Sequence, residues 1–246
     1  MSRRAIVLLA ATLAAGTATQ AAPPAKGAGD AAMANTLTDA EKKEGYELLF
    51  DGKSLDSWRG YKMEGLPAGW SAKDGAIRFD PPAAGVGERA DIVTKKEYGD
   101  FELALEWAVT PGGNSGIMFR VSEDKPRTYE TGAEYQVLDN AGHDDGKKPV
   151  TSAGSNYALH APVKDVTRPV GEWNEARLRV EGAHVTHWLN GTKLLEYDLW
   201  SPEWKALVAA SKFAAMPGYG LNHKGRFALQ DHGNEVRYRN LRIRPL

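Results

Sequence analysis

Apolar and polar residues alternate along most of the chain, which is the pattern of half-buried β-strands. Residues 101–109 place five apolar side chains on one face, and residues 176–180 repeat the pattern. Residues 184–189 run into Asn190-Gly191, a dipeptide typical of a two-residue β-hairpin. A second hairpin is predicted between residues 227–231 and 236–244, with its turn at residues 232–234.

Only two segments are predicted to be helical. Thr38 and Glu41 have the spacing of a capping box, and Ser201-Pro202 is predicted to open a helix that extends to about Phe213. No strand–helix–strand alternation and no glycine-rich phosphate loop is visible. The pattern therefore predicts an antiparallel all-β sandwich or jelly roll with one or two short helices.

The N-terminal region is predicted to be an export signal. Arg3-Arg4 precedes an apolar run over residues 5–15, and small residues follow as far as Ala22. The apolar run is shorter than the roughly 20 residues that span a bilayer. We therefore expect a signal peptide over 1–22, a flexible linker over 23–36 and a single domain over 37–246. The mature protein would be periplasmic or extracellular, by either the general or the twin-arginine route.

Composition excludes several classes of partner and site. The chain has 31 basic and 32 acidic residues, a net charge of −1, so it offers no electrostatic argument for nucleic acid or an anionic membrane surface. It has no cysteine, which excludes disulfides and cysteine metal ligands. A small neutral ligand is the natural expectation, and the seven tryptophans and nine tyrosines could stack on sugar rings or fill the core.

Polar side chains interrupt three of the predicted strands. Because successive strand residues face opposite ways, Glu134 and Gln136 share one face, and so do Gln230 and His232. A curved sheet with one face outside the core would form a groove suited to a sugar chain. We expect one groove to gather five polar residues: Glu106, Arg120, Glu134, Gln136 and His232.

Several segments resemble blocks of one known family. They are LLFDGKSLDSW (48–58), YGDFEL (98–103), NSGI (114–117), EYQVLD (134–139), GEWN (171–174), HWLNG (187–191), LQDHG (229–233) and VRYRNL (236–241). Together they resemble the 3-keto-disaccharide hydrolases, also described as 3-keto-glucoside 1,2-lyases and hydratases, from about Tyr46 to the C-terminus. The resemblance implies a concanavalin A-like, laminarinase-like jelly roll of two antiparallel sheets.

The resemblance also implies an unusual route to cleavage of a sugar. A separate glycoside 3-dehydrogenase first oxidises C3 to a ketone, which acidifies the proton on C2. A base removes that proton, the glycosidic oxygen leaves C1 by β-elimination, and water adds to the resulting glycal. Such a site needs a base, an acid and groups that stabilise the enolate oxygen.

The sequence supplies candidates for each role. Glu134 or His232 is the predicted general base, and Arg120 would stabilise the enolate. The predicted substrate-binding residues are Gln136, Asn114, Gln230 and Glu106. A divalent cation held by Glu134, Gln136 and His232 is a rival role for the same residues, with the metal as Lewis acid. No other cofactor is indicated.

Two alternatives stay open at this point. A carbohydrate-binding module of the same fold would need groove aromatics and no acid–base pair. A conventional retaining glycosidase needs two carboxylates about 5–5.5 Å apart. Gln136 stands where the second carboxylate would be expected beside Glu134, which counts against this alternative. The linkage and the leaving group are not fixed by the sequence.

Overall fold

The computed structural model describes residues 34–246, which form two antiparallel sheets packed face to face. The larger sheet contains β1 (Glu47–Leu48), β3 (Trp70–Lys73), β4 (Ala76–Phe79), β6 (Phe101–Val109), β9 (Asn174–Glu181), β10 (His184–Leu189), β11 (Thr192–Asp198) and β13 (Val236–Pro245). The smaller sheet contains β2 (Trp58–Gly60), β5 (Ile92–Thr94), β7 (Asn114–Val121), β8 (Ala133–Leu138) and β12 (Arg226–Leu229).

The strand order separates neighbours in sequence. The larger sheet runs β11-β10-β9-β6-β13-β4-β3, with β1 also paired to β13, and the smaller sheet runs β2-β5-β12-β7-β8. All of these pairs are antiparallel. This is the two-sheet β-sandwich that the alternating pattern predicts, so the predicted fold class is confirmed.

Aromatic side chains from both sheets form the core between them. Phe101 of β6 packs edge-on against Phe227 of β12, with ring centroids 4.6 Å apart. It also contacts Phe119 of β7. The apolar face predicted for residues 101–109 is therefore the inner face of the larger sheet. Its opposite face carries Glu102 and Glu106.

The local signals at the first hairpin and the first helix are confirmed. Asn190 and Gly191 both have positive φ, 48° and 76°, as a type I′ turn between β10 and β11 requires. Helix α1 (Asp39–Lys43) has the predicted capping box between Thr38 and Glu41. Helix α2 (Pro202–Ala209) begins as predicted but ends early, and a separate 3-10 turn follows at Lys212–Ala215.

The second predicted hairpin is wrong. Strands β12 and β13 belong to different sheets, β12 between β5 and β7, and β13 between β6 and β4. Residues 230–235 therefore cross from one sheet to the other. Asp231 N–H donates to Asp91 just before β5, which directs the chain away from a tight turn.

The predicted N-terminal segments lie mostly outside the described residues, and the signal peptide lies wholly outside them. At the C-terminal end of the predicted linker, Asn35 is buried and exchanges hydrogen bonds with Asn240. Among residues 34–246, no helix has both the length and the apolar character needed to cross a membrane.

Candidate functional site

The outer face of the smaller sheet carries a polar patch beside an apolar one. Tyr61, Val93, Met118, Val121 and Ala228 pack together on this face and are buried. Glu134 pairs with Met118 across β7 and β8, and Gln136 pairs with Gly116. The period-two arithmetic is thus confirmed for β8, since Glu134 and Gln136 lie outside the core while Tyr135 and Val137 lie inside it.

Gly116 makes room for the carboxyl group of Glu134. A Cβ atom at position 116 would stand 2.1 Å from Glu134 Oε1, so no side chain fits there without displacing the carboxyl. The neighbouring Ser115 faces inward, where its hydroxyl accepts from Tyr238 Oη at 2.7 Å and donates to the Gln230 carbonyl at 2.7 Å. The segment 114–116 is therefore part of a strand that shapes the site.

Glu134 is the most perturbed carboxyl group of this face. Burial raises its pKa to about 8, and the negative charges of Asp91 and Asp145 act in the same direction while Lys212 opposes them. With its amide oriented to satisfy both neighbours, Gln136 Nε2 donates to Ser115 O at 2.9 Å and to Glu134 Oε1 at 3.2 Å. Glu134 is consequently protonated in most molecules at neutral pH, and it is held in place by an amide.

Two imidazole rings lie near Asn114, the first residue of β7. The rings of His143 and His232 meet edge to face with centroids 6.0 Å apart. His143 Nδ1 accepts from the Asp145 backbone N–H at 3.1 Å, and Asn114 Nδ2 approaches His143 Nε2 at 3.4 Å. Burial lowers the pKa of His232, and the nearby His143 lowers it further. His232 is therefore neutral at neutral pH and able to accept a proton.

The pKa of Glu134 lies above that of His232, whereas a free carboxyl has a lower pKa than a free imidazolium. Glu134 holds its proton near neutrality, whereas His232 does not, although a free imidazole is less acidic than a free carboxyl. Environments that push two pKa values in opposite directions are typical of an acid–base pair in an active site. The arrangement can donate a proton from one group and accept a proton at the other.

A cavity of about 340 Å³ opens beside His232. Gln230, His232, Arg89, Asp91 and Arg127 line it. Its other lining residues are Tyr61, Ala90, Pro126, Thr128, Tyr129 and Asp231. The volume lies in the range of small-molecule pockets, and charged residues of both signs line it.

Three buried polar atoms on or beside this face have no hydrogen-bond partner among the described residues. They are Asn114 Oδ1, Ser155 Oγ and Gln230 Oε1. Of the three residues, Gln230 lines the cavity. Buried polar groups in folded proteins are nearly always paired, so an unpaired acceptor at a cavity points to a ligand that donates hydrogen bonds. Sugar hydroxyl groups are such donors.

The predicted position of Arg120 in the groove is wrong. A bulge in β7 shifts the side-chain alternation, because Met118 and Val121 pack on the same outer face although they are three residues apart. Arg120, at φ 53°, instead directs its guanidinium to Asp100 and to the carbonyl groups of Gly99 and Gly182. Arg120 has a structural role at the edge of the sandwich.

Glu106 is also absent from the groove. It lies on β6 of the larger sheet, on the outer face of the other layer. Arg239 Nε donates to its carboxylate at 2.6 Å and Asn240 Nδ2 at 2.7 Å. Strand alternation identified the correct face of β6, but it contains no information about which sheet the strand joins.

The geometry gives no support to the predicted metal site. Gln136 turns its amide nitrogen toward Glu134, where a metal ligand would present oxygen. Over residues 34–246, no three His, Asp or Glu side chains are grouped closely enough to hold a metal ion. The roles of Glu134 and His232 in proton transfer stay a prediction.

Several residues of the site were not predicted. Asp91 lines the cavity, and burial raises its pKa to about 6. Asp145 accepts a hydrogen bond from Tyr157, and Lys212 lies 4.2 Å from the centre of the Tyr157 ring. Arg127 joins them from a loop. These residues come from segments without regular alternation of apolar and polar positions. The one signal in the sequence was the position of Asp91, a charged residue directly before the buried strand β5.

Comparison with known proteins finds relatives that match most of the chain. The family described as 3-keto-alpha-glucoside-1,2-lyase-like domain matches residues 45–244. A protein of Bacteroides thetaiotaomicron named 3-keto-disaccharide hydrolase is 36% identical over 229 residues, which cover 82% of this chain and 79% of that protein.

Solved structures show the same relationship. A Parabacteroides distasonis protein described as a candidate glycosyl hydrolase is 35% identical, with a TM-score of 0.78 over 87% of this chain and 99% of the other. A second protein of that organism with the same description is 29% identical, with a TM-score of 0.62 over 82% of this chain and 99% of the other. The sequence match and the shared fold agree, and the chain belongs to the 3-keto-alpha-glucoside-1,2-lyase-like family.

Proposed function

We propose that this protein cleaves the glycosidic bond of 3-keto-glucosides, including 3-keto-disaccharides, by elimination followed by hydration. The observation that carries the proposal is the buried carboxyl of Glu134, protonated near neutral pH, together with the neutral imidazole of His232, since the charge of Asp145 acts on both groups. A relative that shares 36% of its residues is named 3-keto-disaccharide hydrolase, which supports the substrate class.

The two groups divide the proton transfers between them. His232 takes the C2 proton, and the electron pair of the C2–H bond forms the enolate with the C3 ketone. As the enolate collapses, the C1–O bond breaks, C1=C2 forms and C3=O is restored. Glu134 donates its proton to the departing oxygen, which leaves as an alcohol.

Hydration then returns both groups to their starting states. The carboxylate of Glu134 takes a proton from water as the hydroxyl adds to C1, and protonated His232 returns a proton to C2. The products are the alcohol and 3-keto-glucose, so the net reaction is hydrolysis. Asn114, Gln136 and Gln230 hold the sugar hydroxyl groups, which supplies partners for the unpaired Asn114 Oδ1 and Gln230 Oε1.

The reaction places this protein after an oxidation. A separate dehydrogenase must supply the ketone at C3, because an ordinary glucoside lacks an acidic proton at C2. The basic and apolar pattern of residues 1–22 supports export, and we place the reaction in the periplasm or outside the cell.

The test is a comparison of oxidised and unoxidised sugars. Purified protein is incubated with 3-keto-trehalose and a 3-keto-glucoside in D₂O, alongside their parent sugars, with and without a chelator. We expect turnover of the keto sugars alone, with deuterium at C2 of the 3-keto-glucose product. Hydrolysis of the parent sugars without deuterium would identify a conventional glycosidase, and binding without turnover would identify a carbohydrate-binding module.

A further inference from the structure

One guanidinium group lines the cavity without a counter-ion. Arg127 precedes the 3-10 turn Thr128–Glu130 and lines the same cavity as Gln230 and His232. Within residues 34–246 its guanidinium makes no ion pair and no hydrogen bond. Arg89, the other arginine of the cavity, is instead paired with Asp231.

The Asp91 carboxyl, on which the charge of Arg127 acts, already has hydrogen-bond partners. Asp91 accepts from the Thr128 hydroxyl and from the Asp231 backbone N–H, the latter at 2.9 Å. Arg127 acts on Asp91 only as a nearby charge, opposing the burial that raises the pKa of that carboxyl to about 6. The positive charge of Arg127 is therefore available to a ligand in the cavity.

The proposed reaction needs a cation of this kind. Removal of the C2 proton places negative charge on the oxygen of C3, and donors aimed at a developing oxyanion contribute most to rate when they are in position beforehand. Arg120 does not reach the groove, and Arg89 is paired with Asp231. Guanidinium also offers two parallel N–H donors to one oxygen or to adjacent oxygens.

We propose that Arg127 binds the C3 carbonyl oxygen of the substrate and stabilises the enolate, and that it thereby selects 3-keto sugars over 3-hydroxy sugars. This inference rests on the proposed function. In the step concerned, the C2–H bond breaks, His232 receives the proton, and the electron pair moves to the C3 oxygen facing Arg127. No oxidant or reductant is consumed.

Selectivity follows from the charge on the C3 oxygen. A hydroxyl at C3 never develops negative charge in a reaction of the intact sugar, so it gains little from the guanidinium beyond one ordinary hydrogen bond. The ketone oxygen gains progressively as the enolate forms. Arg127 should therefore act mainly on kcat, with a smaller effect on KM.

The experiment separates enolate formation from departure of the leaving group. Solvent deuterium exchange at C2 of 3-keto-glucose is followed by NMR in wild type, Arg127→Met, Arg127→Lys and the control Arg237→Met. Arg237 lies on β13 of the other sheet, so its loss removes one guanidinium without touching the cavity. We expect exchange and 3-keto-glucoside turnover to fall at least about 10²-fold in Arg127→Met.

Supporting measurements distinguish catalysis from folding. Arg127→Lys should retain intermediate activity, added guanidinium ion should restore part of the exchange in Arg127→Met, and the Tm should not move because the side chain makes no internal bond. Exchange within about threefold of wild type in Arg127→Met would overturn the assignment and leave the proposed function standing. Absence of 3-keto-glucoside turnover in wild type would overturn both.

Discussion

Glu102 and Glu134 are two buried carboxyl groups on the outer faces of the two sheets, and their surroundings are opposite. Glu102 is 4% exposed and Glu134 6% exposed. Burial acts to raise the pKa of Glu102, but the Tyr46 hydroxyl and the guanidinium groups of Arg177, Arg179 and Arg244 outweigh it and lower the pKa. Glu134 has no such cations in contact, so burial raises its pKa.

The difference separates a structural carboxylate from a reactive carboxyl acid. Glu102 stays ionised and links β6 to β9 and β13 through arginines on the neighbouring strands. Glu134 faces Gly116 and Gln136, and it keeps its proton at neutral pH. Similar exposure thus gives opposite protonation states, because Glu134 lies deeper in the protein and has no cation in contact, whereas Glu102 contacts three arginines.

The largest expected effect is on catalysis. Glu134→Gln removes the transferable proton while keeping the shape, so kcat/KM on a 3-keto-glucoside should fall about 10³-fold. Glu102→Gln should stay within about threefold of wild type when assayed below its unfolding temperature. Equal losses in the two variants would remove the distinction between the two carboxyl groups.

The second effect is on stability, and here the loss is expected in Glu102→Gln and not in Glu134→Gln. Glu102→Gln leaves three arginines without their shared anion, and breaking a buried ion pair costs about 3–5 kcal/mol. Chemical denaturation at pH 7 measures the loss of unfolding free energy. A loss under about 1 kcal/mol would show that the cluster of arginines is solvated well enough without the carboxylate.

Glu134→Gln should stabilise the protein at neutral pH. The folded pKa of about 8 exceeds the unfolded value of 4.5, so the stability contributed by this group is complete below pH 4.5 and is lost as pH rises through about 8. At pH 7 that loss amounts to about 3 kcal/mol in the wild type, which the variant avoids. A variant that gains nothing at pH 7 would contradict the raised pKa.

The space over Gly116 provides the next test. Gly116→Ala puts a methyl group where Glu134 Oε1 stands, and displacing a catalytic group by about 1 Å costs about 10²-fold in rate. Gly65 is the matched control, because nothing lies within 4 Å of a Cβ added there. Gly65→Ala should be fully active, and wild-type activity in both variants would show that the carboxyl position is not critical.

The smallest effect comes from the core. Burial lowers the pKa of His187 to about 3, while its Nδ1 lies 3.0 Å from the Gly154 carbonyl. In the unfolded chain the imidazole binds a proton below pH 6.5, whereas in the folded protein it does not until about pH 3. The free energy of unfolding therefore decreases as the pH is lowered. Between pH 7 and pH 5 the loss is about 2 kcal/mol. It should disappear in His187→Gln, compared by denaturation at both pH values.

The fold was predictable because its signals are local. The alternation over 101–109, the Asn190-Gly191 turn and the capping box at Thr38 each depend on residues within a few positions of one another. The face of β8 that carries Glu134 and Gln136 followed from the same alternation. Family blocks spread over residues 48–241 then joined these elements into one expected fold.

The full site was not predictable because its residues meet through tertiary contacts. A bulge reversed the direction of Arg120, and the crossing of residues 230–235 between the sheets replaced the predicted hairpin. Glu106 was assigned to the wrong layer, since alternation describes faces and not sheets. Asp91 and Arg127 enter from short or irregular segments, where periodicity gives no signal.

A carbon-13 NMR titration of the glutamate carboxyl groups measures the protonation of Glu134, with the Glu134 resonance assigned by its absence in Glu134→Gln. We expect a Glu134 pKa of about 8, while the Glu102 carboxyl stays ionised down to below pH 4.5. A Glu134 carboxyl that titrates near 4.5 would contradict it, because the proton required by the leaving oxygen would be absent at neutral pH.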